Sequence, residues 1–173
     1  MPSAELSADR VARRELDFLL RLGDAHLSLD EAIRDFPPEH YNSRPPNTPY
    51  SFWQLLEHVR FCQWDILDYV RNVDYSAVPF PEGVWPGAGE EADETRWQGT
   101  VAAIHRDLAE ILAQVADPDF DLYQAPAHAW EPEHTPYRCF LVAADHNAYH
   151  LGELAILRQV MGLWGQADKG RMG

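Results

Sequence analysis

Two histidines four residues apart are the residues of this sequence best suited to metal chemistry. His146 and His150 lie in the run DHNAYHLGE. On an α-helix, residues four apart lie on one face, separated by about 6 Å of rise and about 40° of rotation. Two imidazoles placed in this way can bind one ion, and the same face also carries Val142, Leu154 and Leu157. The spacing therefore predicts a pair of metal ligands that points toward the protein interior.

His58 is the best candidate for a third ligand. It borders an apolar stripe in the segment SFWQLLEHVRFCQWDIL, where Leu55, His58 and Cys62 form one row. Facing helices of a bundle present inward residues at similar heights, which brings together residues that are distant in sequence. Three imidazoles suit zinc, nickel, copper or ferrous iron, and they leave coordination positions for water or substrate. We therefore predict a divalent-metal site formed by His58, His146 and His150.

Two better-known metal motifs do not fit this sequence. HNAYH lacks the glutamate after the first histidine that a zincin metalloprotease uses as general base. A di-iron carboxylate bundle needs Glu-x-x-His pairs on its helices, and the pair Glu131 and His134 is interrupted by Pro132. A structural role for the histidines stays open, because a buried histidine is more often a hydrogen-bonded core residue than a ligand.

Four further side chains are candidates for orienting the ligands or lining a pocket: Cys62, Asp65, Tyr149 and Glu153. Each has an ordinary alternative, a small core residue for Cys62 and solvent exposure for the polar three. The remaining histidines are expected to be solvated or capping residues: His26, His40, His105, His128 and His134. The sequence identifies no catalytic acid, base or nucleophile.

The elements that must position these residues are helices. The helical period predicts four long amphipathic helices and one short helical segment, at residues 7–22, 28–35, 51–71, 94–116 and 135–161. Ser51 and Thr135 are predicted N-caps, and Pro136 suits a first helical position. Long connectors rich in proline separate the helices, and the one at residues 118–135 has room for a short hairpin. We predict an all-α fold, a four-helix bundle with long connecting loops, as a single domain over residues 1–173.

Charge and hydropathy limit the partners. The chain has 14 Lys and Arg against 28 Asp and Glu, a net charge of −14, which repels phosphate backbones and argues against nucleic acid as a partner. No apolar run approaches the roughly 20 residues of a membrane-spanning helix, and the N-terminus lacks the apolar stretch of a secretory signal. With two cysteines in the chain, we expect a reducing, cytoplasmic location and no membrane partner.

The segment HNAYHLGELAILRQVMGLW, together with SFWQLLEHVRFCQWDIL, resembles the DinB/YfiT-like superfamily of metal-dependent enzymes. The resemblance implies a four-helix bundle with a three-histidine metal site, one ligand from the second long helix and two from an HxxxH on the last. His58, His146 and His150 match those positions. Some relatives transfer thiols such as bacillithiol or mycothiol, one branch is a mycothiol-dependent isomerase, and many relatives are dimers.

The function that we expect is therefore a metal-dependent thiol S-transferase or related hydrolase that acts on a small-molecule substrate. Its cofactors would be a divalent ion, zinc or nickel, and a low-molecular-weight thiol. The family resemblance implies a homodimer, whereas the residues themselves leave the oligomeric state open. Two alternatives stay open: a non-catalytic, stress-related bundle that binds a metal or small ligand, and an interaction module whose histidines are only structural.

Overall fold

The helices of this protein follow from its amphipathic periods and its caps. The structure, a computed structural model, describes residues 7–22 and 25–165, and within these ranges the regular elements are helices without any strand. The α-helices are α1 (Ala8–Leu22), α2 (Leu29–Ile33), α3 (Phe52–Arg71), α4 (Glu94–Ala116) and α5 (Pro136–Val160). Two single-turn 3-10 helices lie in the connectors, Pro38–His40 and Glu82–Val84. The predicted all-α fold is confirmed.

Side-chain caps fix where the long helices begin. The side-chain oxygens of Ser51, Asp93 and Thr135 each accept a hydrogen bond from the backbone N–H three residues later, which satisfies donors that would otherwise lack a partner. Helix α2 ends at Ile33, two residues before the predicted end, because Asp35 adopts a φ of 50° that does not continue a right-handed helix.

The four long helices form a closed bundle. Helix α3 packs against α4 and α5, and α1 packs against α4 and α5 from the other side, while the short α2 covers part of α5. Tyr50, just before α3, contacts Glu153 in the second half of α5, and Tyr69, late in α3, contacts His134, just before α5, so that α3 and α5 run antiparallel. This arrangement places the single histidine of α3 opposite the histidine pair of α5.

Two clusters of buried side chains hold the bundle together. One cluster includes Phe52, Trp53 and Leu56 of α3 with Trp97 of α4 and Leu154 of α5. The other lies toward the opposite end and includes residues from α1, α3, α4 and α5, namely Leu16, Leu67, Ile111 and Phe140. His58 lies in the part of α3 that enters the first cluster, between the buried Leu56 and Val59.

The two long connectors close over the α3 and α5 side of the bundle. In the connector between α3 and α4, the carbonyl group of Val84 reaches His58. The connector between α4 and α5 forms no hairpin over residues 118–135, and it is held by the buried Leu122, whose carbonyl accepts from the backbone N–H of Tyr137 at 2.8 Å. None of the described helices combines the length and apolar composition that a membrane span requires.

Candidate metal centre

Three imidazoles meet between α3 and α5. Nε2 of His58 lies 3.2 Å from Nε2 of His146. One ring nitrogen from each of His58, His146 and His150 lies within 4.8 Å of the others, and the three ring centroids are 4.6 to 5.0 Å apart. The structure thus brings together the three histidines that the sequence spacing singled out.

The spacing of these nitrogens fits one divalent ion after a small adjustment. Imidazole nitrogens bind zinc at about 2.0 to 2.1 Å, so two nitrogens on the same ion are at most about 4.2 Å apart. The separation of 3.2 Å between His58 and His146 is within that limit. The widest separation, up to 4.8 Å, requires the rings to approach by about half an ångström. Side-chain rotation supplies a shift of that size, and the donor set suits the ion chemically.

The tautomer of His58 is fixed by the backbone of the connector. Its Nδ1 lies 2.8 Å from the carbonyl oxygen of Val84, which can only accept, so Nδ1 carries the hydrogen and Nε2 keeps its lone pair. The indole of Trp85 stacks on the imidazole at a centroid distance of 3.8 Å and an interplanar angle of 3°. Burial lowers the pKa of His58, which favours the neutral form that a metal requires.

His150 is oriented by a carboxylate. Its Nδ1 lies 2.9 Å from Oε2 of Glu153, one turn further along α5, which leaves Nε2 for an ion. The other carboxylate oxygen of Glu153 accepts from the hydroxyl group of Tyr50. The ring of Tyr50 stacks on Trp85 at 4.8 Å, and Trp85 in turn stacks on His58. A continuous set of contacts therefore connects the ligand candidates on the two helices.

His146 is the histidine whose second nitrogen lacks a hydrogen-bond partner. Burial lowers the pKa of His146 to about 4, and the neighbouring His150 and His58 lower it as well. Its Nδ1 is buried without a partner, and Oδ1 of the adjacent Asn147 is buried without one too. The Asn147 side chain lies close enough to raise the pKa of His146, in opposition to the larger effect of burial.

The orientation of the Asn147 amide follows from its other contacts. Its Nδ2 donates to Oε1 of Gln63 at 2.8 Å, and Nε2 of Gln63 donates to the carbonyl of Ile104 at 2.8 Å. The nitrogen of the Asn147 amide is therefore engaged, and its oxygen is the atom left to accept from Nδ1–H of His146. With that bond made, each of the three histidines would donate from Nδ1 and present Nε2.

Cys62 and Asp65 occupy different positions relative to the histidines. The sulfur of Cys62 lies 3.6 and 3.8 Å from the two ring nitrogens of His58, as expected for a neighbour one turn away. Burial raises the pKa of Cys62 to about 12, so this side chain is a protonated thiol at neutral pH. Asp65 lies further along α3, where its Oδ1 accepts from the Tyr75 hydroxyl at 3.0 Å, and burial raises its pKa.

Tyr149 and Val142 lie at the surface of α5. The side chain of Tyr149 is 71% exposed, with its ring edge-on to that of His150 at 4.9 Å. Val142, expected on the inward stripe with the histidines, is 42% exposed because a cavity rather than another helix covers this part of α5. Glu153, which the sequence offered as a residue that orients a ligand, does contact the ligand candidate His150 directly.

Several residues of the centre had no signal in the sequence. The carbonyl group of Val84 and the hydroxyl group of Tyr50 act through contacts that depend on how the connectors fold. Asn147 adjoins the HxxxH pair, but an asparagine on a helix has no spacing rule that marks it. Trp85 could be suspected, since an apolar ring in a polar connector needs a partner.

The fold and the site are those of an all-helical bundle in which three imidazoles meet between the second and last long helices, a donor set that could hold a metal ion. The model of the DinB superfamily matches residues 22–154 of this chain, a range that includes His58, His146 and His150. The chain therefore belongs to the DinB superfamily, which confirms the resemblance found in the sequence. No curated protein and no solved structure shows significant similarity to it.

Proposed function

We propose that this protein is a metal-dependent enzyme in which His58, His146 and His150 bind one divalent ion. The observation that supports this proposal is the arrangement of their nitrogens. Val84 and Glu153 hold the Nδ1 atoms of two of the histidines, so that Nε2 is the free nitrogen of each. Acceptors of this kind are the usual outer partners of metal-binding histidines.

The reaction that we propose is thiol transfer to an electrophilic small molecule, or a related hydrolysis. A bound zinc or nickel ion would supply Lewis acidity, which lowers the pKa of a thiol or water for attack. The residues of the chain provide the rest of the site. Glu153 and Val84 keep the imidazoles in one orientation, and Trp85 covers one face of His58 and excludes water from it. The choice of a thiol rests on the family resemblance.

Metal analysis tests the site. Protein purified without an affinity tag should contain close to one equivalent of zinc or nickel by elemental mass spectrometry, and His146→Ala should lose most of it. His105→Ala is the matched control, because His105 lies on the surface, where it pairs with Asp30 at 2.9 Å. A wild type free of metal, or equal metal content in His146→Ala, would refute the site and favour histidines that are only structural.

A conjugation assay tests the reaction. Glutathione, bacillithiol, mycothiol and cysteine are each mixed with 1-chloro-2,4-dinitrobenzene, whose carbon–chlorine bond breaks as a carbon–sulfur bond forms and a proton is released. We expect one thiol to react faster with the metal-containing protein than with His146→Ala. A protein that binds metal but accelerates none of these reactions, nor the hydrolysis of activated esters, would be the non-catalytic binding protein considered above.

Two further expectations are part of the proposal. Cys62 and Cys139 are both free thiols, which fits a reducing cytoplasm. The homodimer implied by the family resemblance stays a prediction, for which the exposed surface of α5 offers a specific test given below.

A further inference from the structure

A cavity of about 260 Å³ lies next to the candidate metal centre, between α3, α5 and the two connectors. Two of its lining residues touch or adjoin the centre. Val84 lines the cavity, and its carbonyl accepts from His58. Val142 lines it as well, and it lies one helical turn, about 6 Å along α5, before His146. The cavity therefore borders the metal centre, with Val84 and Val142 as the lining residues closest to the histidines.

Aromatic rings form the outer part of this cavity. Tyr69 and Tyr75 line it from α3 and the following connector, with their rings 5.0 Å apart and edge to face. Trp130 packs at 5.2 Å from Tyr69 but is 61% exposed, and Phe80 on the facing connector is 81% exposed. Large exposed aromatic side chains that line one cavity are typical of a ligand-binding surface, because a ligand that stacks on them removes apolar area from water.

The charges that line the cavity are one guanidinium and one carboxylate. The carboxylate of Asp65 already accepts from the Tyr75 hydroxyl. Arg138 also lines the cavity, and its guanidinium forms no hydrogen bond or ion pair with any residue that the structure describes. It lies eight residues before His146 on α5, about 12 Å from the metal centre along the helix axis. The charge at the outer end of the cavity that is available to a ligand is therefore the positive charge of Arg138, in a chain whose net charge is −14.

We propose that this cavity binds the substrate and that the substrate is an aromatic anion. Its rings would lie against Trp130 and Tyr75, its carboxylate or sulfonate would face Arg138, and its reactive end would point toward the histidines. That the bound molecule is a substrate rests on the proposed function. The binding of an aromatic anion to the cavity is a separate property, which can be measured by itself.

Calorimetric titration tests the inference on full-length protein of known metal content. The probes are 2-naphthoate, the neutral 2-naphthylmethanol and the cationic 2-naphthylmethylammonium. We expect 2-naphthoate to bind more tightly than either analogue. Arg138→Gln should weaken the binding of 2-naphthoate about fivefold, the size of effect expected for an exposed ion pair. The affinity for 2-naphthylmethanol should not change. Arg10→Gln is the matched control, since this arginine lies exposed on α1 away from the cavity.

A second variant separates ring stacking from charge. Trp130→Ala should weaken the binding of 2-naphthoate and of 2-naphthylmethanol by similar factors, because it removes an aromatic ring from the cavity lining and removes no charge. Absence of 2-naphthoate binding in metal-containing protein, tighter binding of the cation, or an unchanged affinity in Arg138→Gln would each overturn the inference while leaving the metal site intact. If the protein holds no metal yet binds 2-naphthoate through Arg138, the ligand site stands and the proposed enzyme function fails.

Discussion

At the scale of single residues, the candidate centre depends on the atoms that hold the imidazoles more than on the imidazoles themselves. A histidine can present either nitrogen, and the acceptor opposite Nδ1 decides which one is free. Val84 supplies a carbonyl for His58, and Glu153 supplies a carboxylate for His150. These acceptors fix two of the three histidines, His58 and His150, as Nε2 donors, and this is a property that substitution can test.

Glu153→Ala should weaken metal binding about 10-fold to 100-fold, the usual cost of removing a carboxylate that orients a metal-binding histidine. His150 would lose its partner at 2.9 Å, and Tyr50 would lose the acceptor of its hydroxyl group. The measurement is the Kd for zinc by competition with a chromophoric chelator. Glu133→Ala removes the same charge from an exposed position in the loop before α5 and should leave the Kd unchanged. Equal Kd values for the two variants would contradict the assigned role.

Asp65→Asn should stabilise the protein at neutral pH. Burial raises the pKa of Asp65 above its ordinary value of 3.8, so the folded protein binds this proton more tightly than the unfolded chain does. The stability that Asp65 contributes is therefore full below pH 3.8 and is lost as the pH rises through the raised pKa. Asparagine keeps an acceptor for the Tyr75 hydroxyl without the buried charge.

The measurement for this variant is the free energy of unfolding in urea from pH 3.5 to 7. The advantage of Asp65→Asn over the wild type should grow across that range. Asp74→Asn makes the same change at an exposed position of the neighbouring connector and should give no such trend. A wild type that is more stable than Asp65→Asn at pH 7 would mean that the ionised carboxylate makes a favourable contact there.

At the scale of elements, the connector between α3 and α4 positions His58 as much as α3 does. The 3-10 turn Glu82–Val84 aims the Val84 carbonyl at the imidazole, and the backbone at Gly83 packs directly against the Val78 side chain. A Cβ atom at position 83 would overlap that side chain. Glycine is therefore required here by a close approach within the connector.

Gly83→Ala should displace this turn and weaken zinc binding by up to about tenfold, while the helices remain intact because the change lies outside them. The Kd for zinc and the far-ultraviolet circular dichroism spectrum are measured together. Gly89→Ala is the matched control in the same connector, since an added Cβ meets no atom within 4 Å there. A loss of helix signal, or equal zinc affinity in the two variants, would argue against a positioning role for the turn.

The elements themselves were readable from the sequence, and the connectors were not. Caps at Ser51 and Thr135 and the helical period located α3 and α5 within one residue at each end, because these signals act within a turn of the chain. The convergence of His58 with the pair on α5 also followed from the inward stripes of two helices. The contacts that Val84 and Tyr50 make with the site could not be predicted in this way, because the path of a connector depends on long-range packing that leaves no period in the sequence.

At the scale of the whole molecule, α5 has apolar side chains on two faces. One face packs into the bundle through residues such as Phe140 and Leu154. On the other, Tyr149, Ile156 and Val160 are 62 to 71% exposed and recur at intervals of seven and four residues. These intervals keep the three side chains on one side of the helix. An exposed apolar stripe of this kind is where we expect the homodimer implied by the family resemblance to form.

Ile156→Glu should shift the protein toward the monomer, because it places a charge within an apolar contact in both subunits. Sedimentation equilibrium over a range of protein concentrations measures the dimer dissociation constant, which we expect to rise at least tenfold. Val73→Glu adds the same charge at another highly exposed aliphatic side chain and serves as the control. A wild type that is monomeric at all concentrations, or a dimer unaffected by Ile156→Glu, would contradict the prediction.

The parallel stack of Trp85 on His58 also has an optical consequence. The indole lies 3.8 Å from the imidazole, whose Nε2 we propose as a ligand, so its excited state should respond to whatever occupies that nitrogen. Nickel, with partly filled d orbitals, should quench the emission strongly, and zinc, with a closed shell, should quench it much less. The protein would then report its own metal occupancy in a fluorimeter, without any added dye.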